Sequence, residues 1–84
     1  MKLKIFLTHR SEKDIKNLSE ENCEKVKNAL RFLSDEPFKG ESLLGKYKGL
    51  KRYRIGDFRI VYEINLKEKC IVIIKIKHRK DVYR

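Results

Sequence analysis

The apolar residues of this chain change period twice. Over residues 2–7 they alternate, with Leu3, Ile5 and Leu7 on one side, which predicts a strand. Ser11, with Asp14 three residues later, has the form of a capping box and predicts a short helix with Ile15 and Leu18 as its apolar positions. Ser19 predicts the cap of a second helix, with Glu20 and Glu21 in the first turn, where the helix dipole favours acids. Cys23, Val26, Leu30 and Leu33 then recur at spacings of three, four and three, and Ala29 and Phe32 widen the stripe. Two such helices make an αα-hairpin able to cover one face of a sheet.

Pro37 and Gly40 end the helical part, and Gly45 and Gly49 punctuate a loop whose Leu43 and Leu44 are expected to pin it to the core. Period two then returns in three runs. Residues 50–55 and 58–64 predict strands joined by a tight reversal at Gly56-Asp57, and residues 70–77 predict the last strand. Phe58, Ile60, Tyr62 and Ile64 share one face as core, with Arg59, Val61 and Glu63 opposite. On the last run, strict alternation sets Val72, Ile74, Ile76 and His78 against Ile71, Ile73, Lys75, Lys77 and Arg79. The expected fold class is α+β, in the order β-α-α-β-β-β. A first strand and an αα-hairpin precede a three-stranded antiparallel meander, with the helices packed on one face of the sheet. With 84 residues, residues 1–84 are read as one domain with a small core.

Charge gives this frame a direction. The formal net charge is +10, and residues 37–84 alone hold fourteen basic side chains against five acidic ones. An excess confined to the strand-rich half suits a polyanion or an acidic protein. Arg52 and Arg54 share one face of their strand, and Arg59 follows the Gly56-Asp57 turn. With Lys75, Lys77 and Arg79 they could form opposite walls of one concave cationic surface, and nucleic acid is the first candidate ligand. Asp57 is read as capping the turn or pairing with an arginine. Lys46, Lys67 and Lys69 are read as solvated, and His9 as a surface residue. Cys23 and Cys70 form no CxxC pair and no ligand spacing, so both are read as buried thiols, with no metal site and no cofactor. No signal peptide or apolar run of membrane-spanning length is present. The expected localisation is cytoplasmic, away from membranes.

Two blocks carry a resemblance. Arg-x-Gly-Asp-aromatic-Arg-hydrophobic-Val-Tyr (Arg54 to Tyr62) is followed by a final strand ending His-Arg-x-x-Val-Tyr (His78 to Tyr83). At this spacing, after an αα-hairpin, the chain resembles the RelE/ParE toxin superfamily of prokaryotic toxin–antitoxin systems over nearly its whole length. The C-terminal Arg and Tyr are similar to the RelE branch, the ribosome-dependent messenger-RNA endonucleases with a microbial-RNase-like fold. The resemblance implies catalytic roles for Arg52, Arg54, Arg59, Arg79 and Tyr83. The basic residue of the final strand falls on Arg79 or Lys77. Lys51, Lys75, Lys77 and His78 are the accompanying substrate-binding candidates. Some relatives have lysines where this chain has Arg52 and Arg54. A guanidinium does not give up its proton, which argues against a general base at either position.

The implied activity is metal-independent cleavage of messenger RNA in the ribosomal A site by 2′-hydroxyl attack, restrained by a RelB-like antitoxin. Arginine forks suit the phosphorane oxygens. No acid–base pair is evident, and alternation sets His78 opposite Lys77 and Arg79. The proton acceptor is left open among Tyr83, His78, a lysine and the ribosome's own RNA. Two other readings are a ParE-type, non-catalytic inhibitor of DNA gyrase, and a toxin relative that has lost activity and serves as a basic binding module.

Overall fold

A computed structural model describes residues 2–79. The predicted periods become β1 (Lys4–Leu7), α1 (His9–Lys16), α2 (Glu20–Asp35), β3 (Lys51–Ile55), β4 (Phe58–Asn65) and β5 (Cys70–His78). A two-residue strand that the sequence reading lacked, β2 (Glu41–Ser42), sits between two 3₁₀ turns, Pro37–Lys39 and Gly45–Tyr47. The sheet has five strands in the order β1-β5-β4-β3-β2. β1 runs parallel to β5, and the remaining pairs are antiparallel. The meander is thus flanked by β1 on one side and β2 on the other.

Ser19 caps α2 as predicted, accepting from the Asn22 amide. The first helix opens three residues earlier than expected. Thr8 is its N-cap, and its hydroxyl accepts from the Ser11 amide at 3.1 Å. Ser11 is buried inside the helix, its hydroxyl donating back to the Thr8 carbonyl at 3.0 Å. A hydroxyl one turn into a helix can satisfy that turn as well as cap it, so the serine alone could not fix the start.

The core lies between the helices and one face of the sheet. Val26, Ala29, Leu30 and Leu33 of α2 meet Ile60 and Tyr62 of β4 and Ile71, Ile73 and Ile76 of β5. Tyr62 is fully buried, and its hydroxyl donates to the Pro37 carbonyl at 2.7 Å and accepts from the Gly40 amide at 3.1 Å. That pair ties the chain leaving α2 to the middle of the sheet. Gly40 must be glycine, because a Cβ there would stand 2.9 Å from the Arg52 carbonyl and 2.5 Å from the tyrosine oxygen. Leu44 corrects an expectation: it is 84% exposed and pins nothing. Leu43 is half-buried and lies on the other side of the sheet, in the cavity described below. Both cysteines are free; Cys70 is buried and Cys23 partly so. No helix among the described residues is long and apolar enough to cross a membrane.

Candidate functional site

The face of the sheet turned away from the helices carries the basic residues, and the strand register sets them in rows. Arg54 on β3 is directly opposite Arg59 on β4, and Arg59 is directly opposite Lys77 on β5. One step along, Glu41 on β2 faces Arg52 on β3, Arg52 faces Val61 on β4, and Val61 faces Lys75 on β5. Neighbouring strands lie about 4.8 Å apart, so the first row compresses three cations into about 10 Å. Like charges directly opposite one another weaken a sheet. A sequence selected for stability alone would not place them so; the row suits an anion held across three strands.

The second row depends on a β-bulge. Val61 opposes Lys75 and Tyr62 opposes Ile73, so Ile74 has no partner on β4. The extra residue inverts the alternation expected for the last strand. Ile71 and Ile73 share the core face with Ile76 and His78, while Lys75 and Lys77 share the opposite face with Val72. Strict alternation had put Lys75 with Ile71 and Ile73, a side that began apolar and became cationic; the bulge resolves that mixture.

The bulge is held from α1. The Thr8 hydroxyl sits between the Ile73 and Ile74 carbonyls, at 2.9 and 2.8 Å, and the Thr8 amide donates to Ile73 at 3.1 Å. Asp14 accepts from the Ile76 amide at 2.9 Å and is itself paired with Arg10 at 3.0 Å. The helix cap and this carboxylate therefore fix the backbone on both sides of Lys75.

Arg52, Arg59, Lys75, Lys77 and Tyr47 line a cavity of about 170 Å³, closed by Val61 and Leu43. The 3₁₀ turn brings Tyr47 over it, with the Lys75 ammonium 5.4 Å from the ring centroid. The Nε atoms of Arg52 and Arg59 are buried and have no hydrogen-bond partner among the described residues. Arg52 does use its outer nitrogen, bonding Glu41 at 2.7 Å. Burial and the nearby Lys77 hold Lys75 below the ordinary lysine value, against the opposing pull of Tyr47. A smaller cavity of about 90 Å³ adjoins on the turn side, lined by Arg54, Asp57, Arg59 and Arg79.

Of the predicted residues, Arg52, Arg54, Arg59, Lys75 and Lys77 come together on this face. Arg79 lies at its end, beside the turn. Its amide donates to the Asp57 carbonyl at 2.6 Å, and its exposed guanidinium stands 3.9 Å from the Asp57 carboxylate. Two candidates belong elsewhere. Lys51 is directly opposite Tyr62 and so lies on the helix side, where its amine bonds Ser42 at 3.1 Å and approaches the Phe38 ring. His78 is directly opposite Phe58, and the two rings meet edge-on at 4.9 Å. Its neighbours Asp14, Asn22 and Ile76 line a separate cavity on the helix side. Tyr83 lies outside the described residues. The sequence reading missed Tyr47; the signal was there, an aromatic between Lys46 and Lys48 just before a basic strand. Among the described residues no group of three or more His, Cys, Asp or Glu side chains is placed to hold a metal ion.

Comparison with known proteins adds an independent line. Residues 5–83 match the family described as the ParE toxin of type II toxin–antitoxin systems, parDE. The chain is 32% identical to the RelE1 protein of Methanocaldococcus jannaschii, an alignment covering 100% of this chain and 98% of that one. It superposes on a chain of the toxin–antitoxin complex RelBE2 from Mycobacterium tuberculosis with a TM-score of 0.88 and 26% identity, covering 94% of this chain and 100% of the other. A chain of the archaeal RelE–RelB complex from Pyrococcus horikoshii matches with a TM-score of 0.76 and 26% identity, over 94% of this chain and 97% of that one.

Proposed function

The chain belongs to the ParE toxin family of type II toxin–antitoxin systems, within the RelE/ParE superfamily, and on that premise we propose that it is a ribosome-dependent endoribonuclease cleaving messenger RNA in the A site. The observation that carries this reading is the row Arg54–Arg59–Lys77, in register across three strands, with the arginine-lined cavity beside it. In 2′-hydroxyl attack the phosphate gains charge as it becomes pentacoordinate. Fixed guanidinium forks meet that charge without reorganising, and the buried Nε donors of Arg52 and Arg59 favour an anion over water. Tyr47 at the rim offers a flat ring on which a base can stack. Holding the hydroxyl in line is worth a large part of the barrier, and in this reading the ribosome would hold the strand.

A RelB-like antitoxin is the proposed restraint. RelBE2 is a toxin–antitoxin complex, and the Pyrococcus assembly pairs RelE with RelB. The surface here suits an extended acidic chain: a net charge of +10, and an edge strand β1 with Phe6 and Leu7 exposed. A second reading, non-catalytic inhibition of DNA gyrase, draws on the ParE name of the matched family. A cationic sheet serves either, but a cavity lined by Arg52 and Arg59, whose buried Nε donors are unpartnered among the described residues, is fitted to a phosphate in transition.

The test is induced expression followed by mapping of messenger-RNA 5′ ends. New ends within codons, absent in Arg59→Ala, are the expected result. Intact transcripts together with trapped gyrase–DNA breaks would replace this reading with the second.

A further inference from the structure

The cationic face lacks an evident group to accept the 2′-hydroxyl proton. Arg52, Arg54 and Arg59 cannot do so, because guanidinium stays protonated throughout the working range. His78 faces the helices against Phe58, on the wrong side of the sheet. Three carboxylates lie on or beside the open face. Asp57, in the turn at its end, stands 3.9 Å from the Arg79 guanidinium and lines the smaller cavity, outside the one that holds Arg52 and Lys75. Glu41 is bound to Arg52 at 2.7 Å on the edge strand. Glu63 is four residues along β4 from Arg59, about 13 Å at the usual strand rise. Lys75 stands one row from Arg59 and in the same cavity as Arg52, Arg59 and Lys77.

We propose that Lys75 is the proton acceptor of the cleavage reaction, its amine placed beside the phosphate site by the bulge at Ile74. The inference rests on the nuclease reading above. In the step, the neutral amine takes the proton from the 2′-hydroxyl while that oxygen forms its bond to phosphorus. The bond from phosphorus to the 5′-oxygen breaks, leaving a 2′,3′-cyclic phosphate. The departing 5′-oxygen takes a proton from water, and the Lys75 ammonium returns its proton to the hydroxide so formed. Before release, that ammonium adds a positive charge beside the phosphorane at the moment its negative charge is greatest.

The surroundings fit the role. An amine serves as a base only if it is neutral part of the time, and its neighbours press it that way. Burial acts most strongly in this direction, Lys77 two residues along the same strand adds to it, and Arg10 on α1 gives a weaker push. Tyr47 alone among the identified influences opposes them; Arg52 and Arg59 share the cavity and would hold the phosphate beside the amine. Thr8 and Asp14, which fix the backbone on either side, keep the amine on this face and away from the core.

The experiment uses the full chain on purified ribosomes programmed with a defined message, comparing wild type, Lys75→Arg, Glu41→Gln and Glu63→Gln over a range of pH. Lys75→Arg keeps the charge and loses the acceptor. It should cut at least about 10²-fold more slowly while still binding ribosomes with an affinity close to wild type. The wild-type rate should rise with pH and level off below the ordinary lysine value of 10.5, and this rise should be absent from the residual rate of Lys75→Arg. Observing the lysine side-chain carbons by NMR in the free protein should show Lys75 titrating below that value. Lys75→Arg cutting within about threefold of wild type, with the same pH profile, overturns the assignment and leaves the nuclease reading standing. So does loss of cutting in Glu41→Gln or Glu63→Gln with Lys75→Arg active. A wild-type protein that cuts nothing on ribosomes overturns both.

Discussion

Tyr62 shows how one side chain can join the fold to the site. Its ring fills the core, while its hydroxyl pins the segment of Pro37 and Gly40 beside the backbone of Arg52. Tyr62→Phe leaves a buried carbonyl and an amide short of a partner, and should lower stability by about 1–3 kcal/mol in denaturant unfolding. Burial also raises the Tyr62 pKa above the ordinary 10.0. The native state therefore holds that proton more tightly than the unfolded chain. The associated stability is present below pH 10 and is lost as pH rises toward the raised value. Wild type should lose stability with rising alkalinity more steeply than Tyr62→Phe, and equal slopes would remove Tyr62 as the cause. Gly40→Ala should be at least as damaging as Tyr62→Phe, because the Arg52 carbonyl cannot yield as a side-chain tip can. At this scale the sequence was readable where a local pattern was complete, as with Arg54 and Arg59 flanking the Gly56-Asp57 turn. Counting Lys51 among the substrate-binding candidates goes against its own strand parity, which sets it on the side opposite Arg52 and Arg54 and places it on the helix side beside Ser42.

Among the elements, β5 is the one on which the proposed chemistry depends most. Its alternation could be read, but the bulge could not be placed: Ile71, Val72, Ile73 and Ile74 are all apolar, so the extra residue shows only as a side that turns from apolar to cationic. Only the partners reveal it. They are Thr8, just before the first helix, and Asp14, read from the sequence as part of a capping box. Asp14 instead gives its carboxylate to the Ile76 amide, a charge-assisted bond across 62 residues of chain. Asp14→Ala should cost about 1.5–3 kcal/mol and speed hydrogen exchange at the Ile76 amide more than at the amides of β3. Uniform protection would show that the carboxylate does not hold the bulge. The short strand β2 and the parallel pairing of β1 with β5 also escaped the sequence: two residues make no period, and the choice of neighbours is a long-range contact.

For the molecule as a whole, the helices and the cations divide the sheet between them. One face is covered and apolar. The other bears Arg54, Arg59 and Lys77 in one row and Arg52 and Lys75 in the next. The mutual repulsion of those cations costs stability, a cost that the proposed RNA-cleaving role would explain. Arg54→Gln should consequently raise stability by about 0.2–1 kcal/mol while slowing RNA cleavage. A protein that lost both would show Arg54 to be structural. Binding to RNA should weaken steeply with salt, and each cation removed from the two rows should reduce the log–log slope by about 0.7 to 1. An unchanged slope would place the contact elsewhere. The most direct measurement is cleavage of a defined message by the purified protein, with and without ribosomes paused at a known codon. The expected result is a cut within the A-site codon that appears only with ribosomes and is lost in Arg59→Ala. A message left whole on ribosomes by an otherwise folded wild-type protein would contradict it.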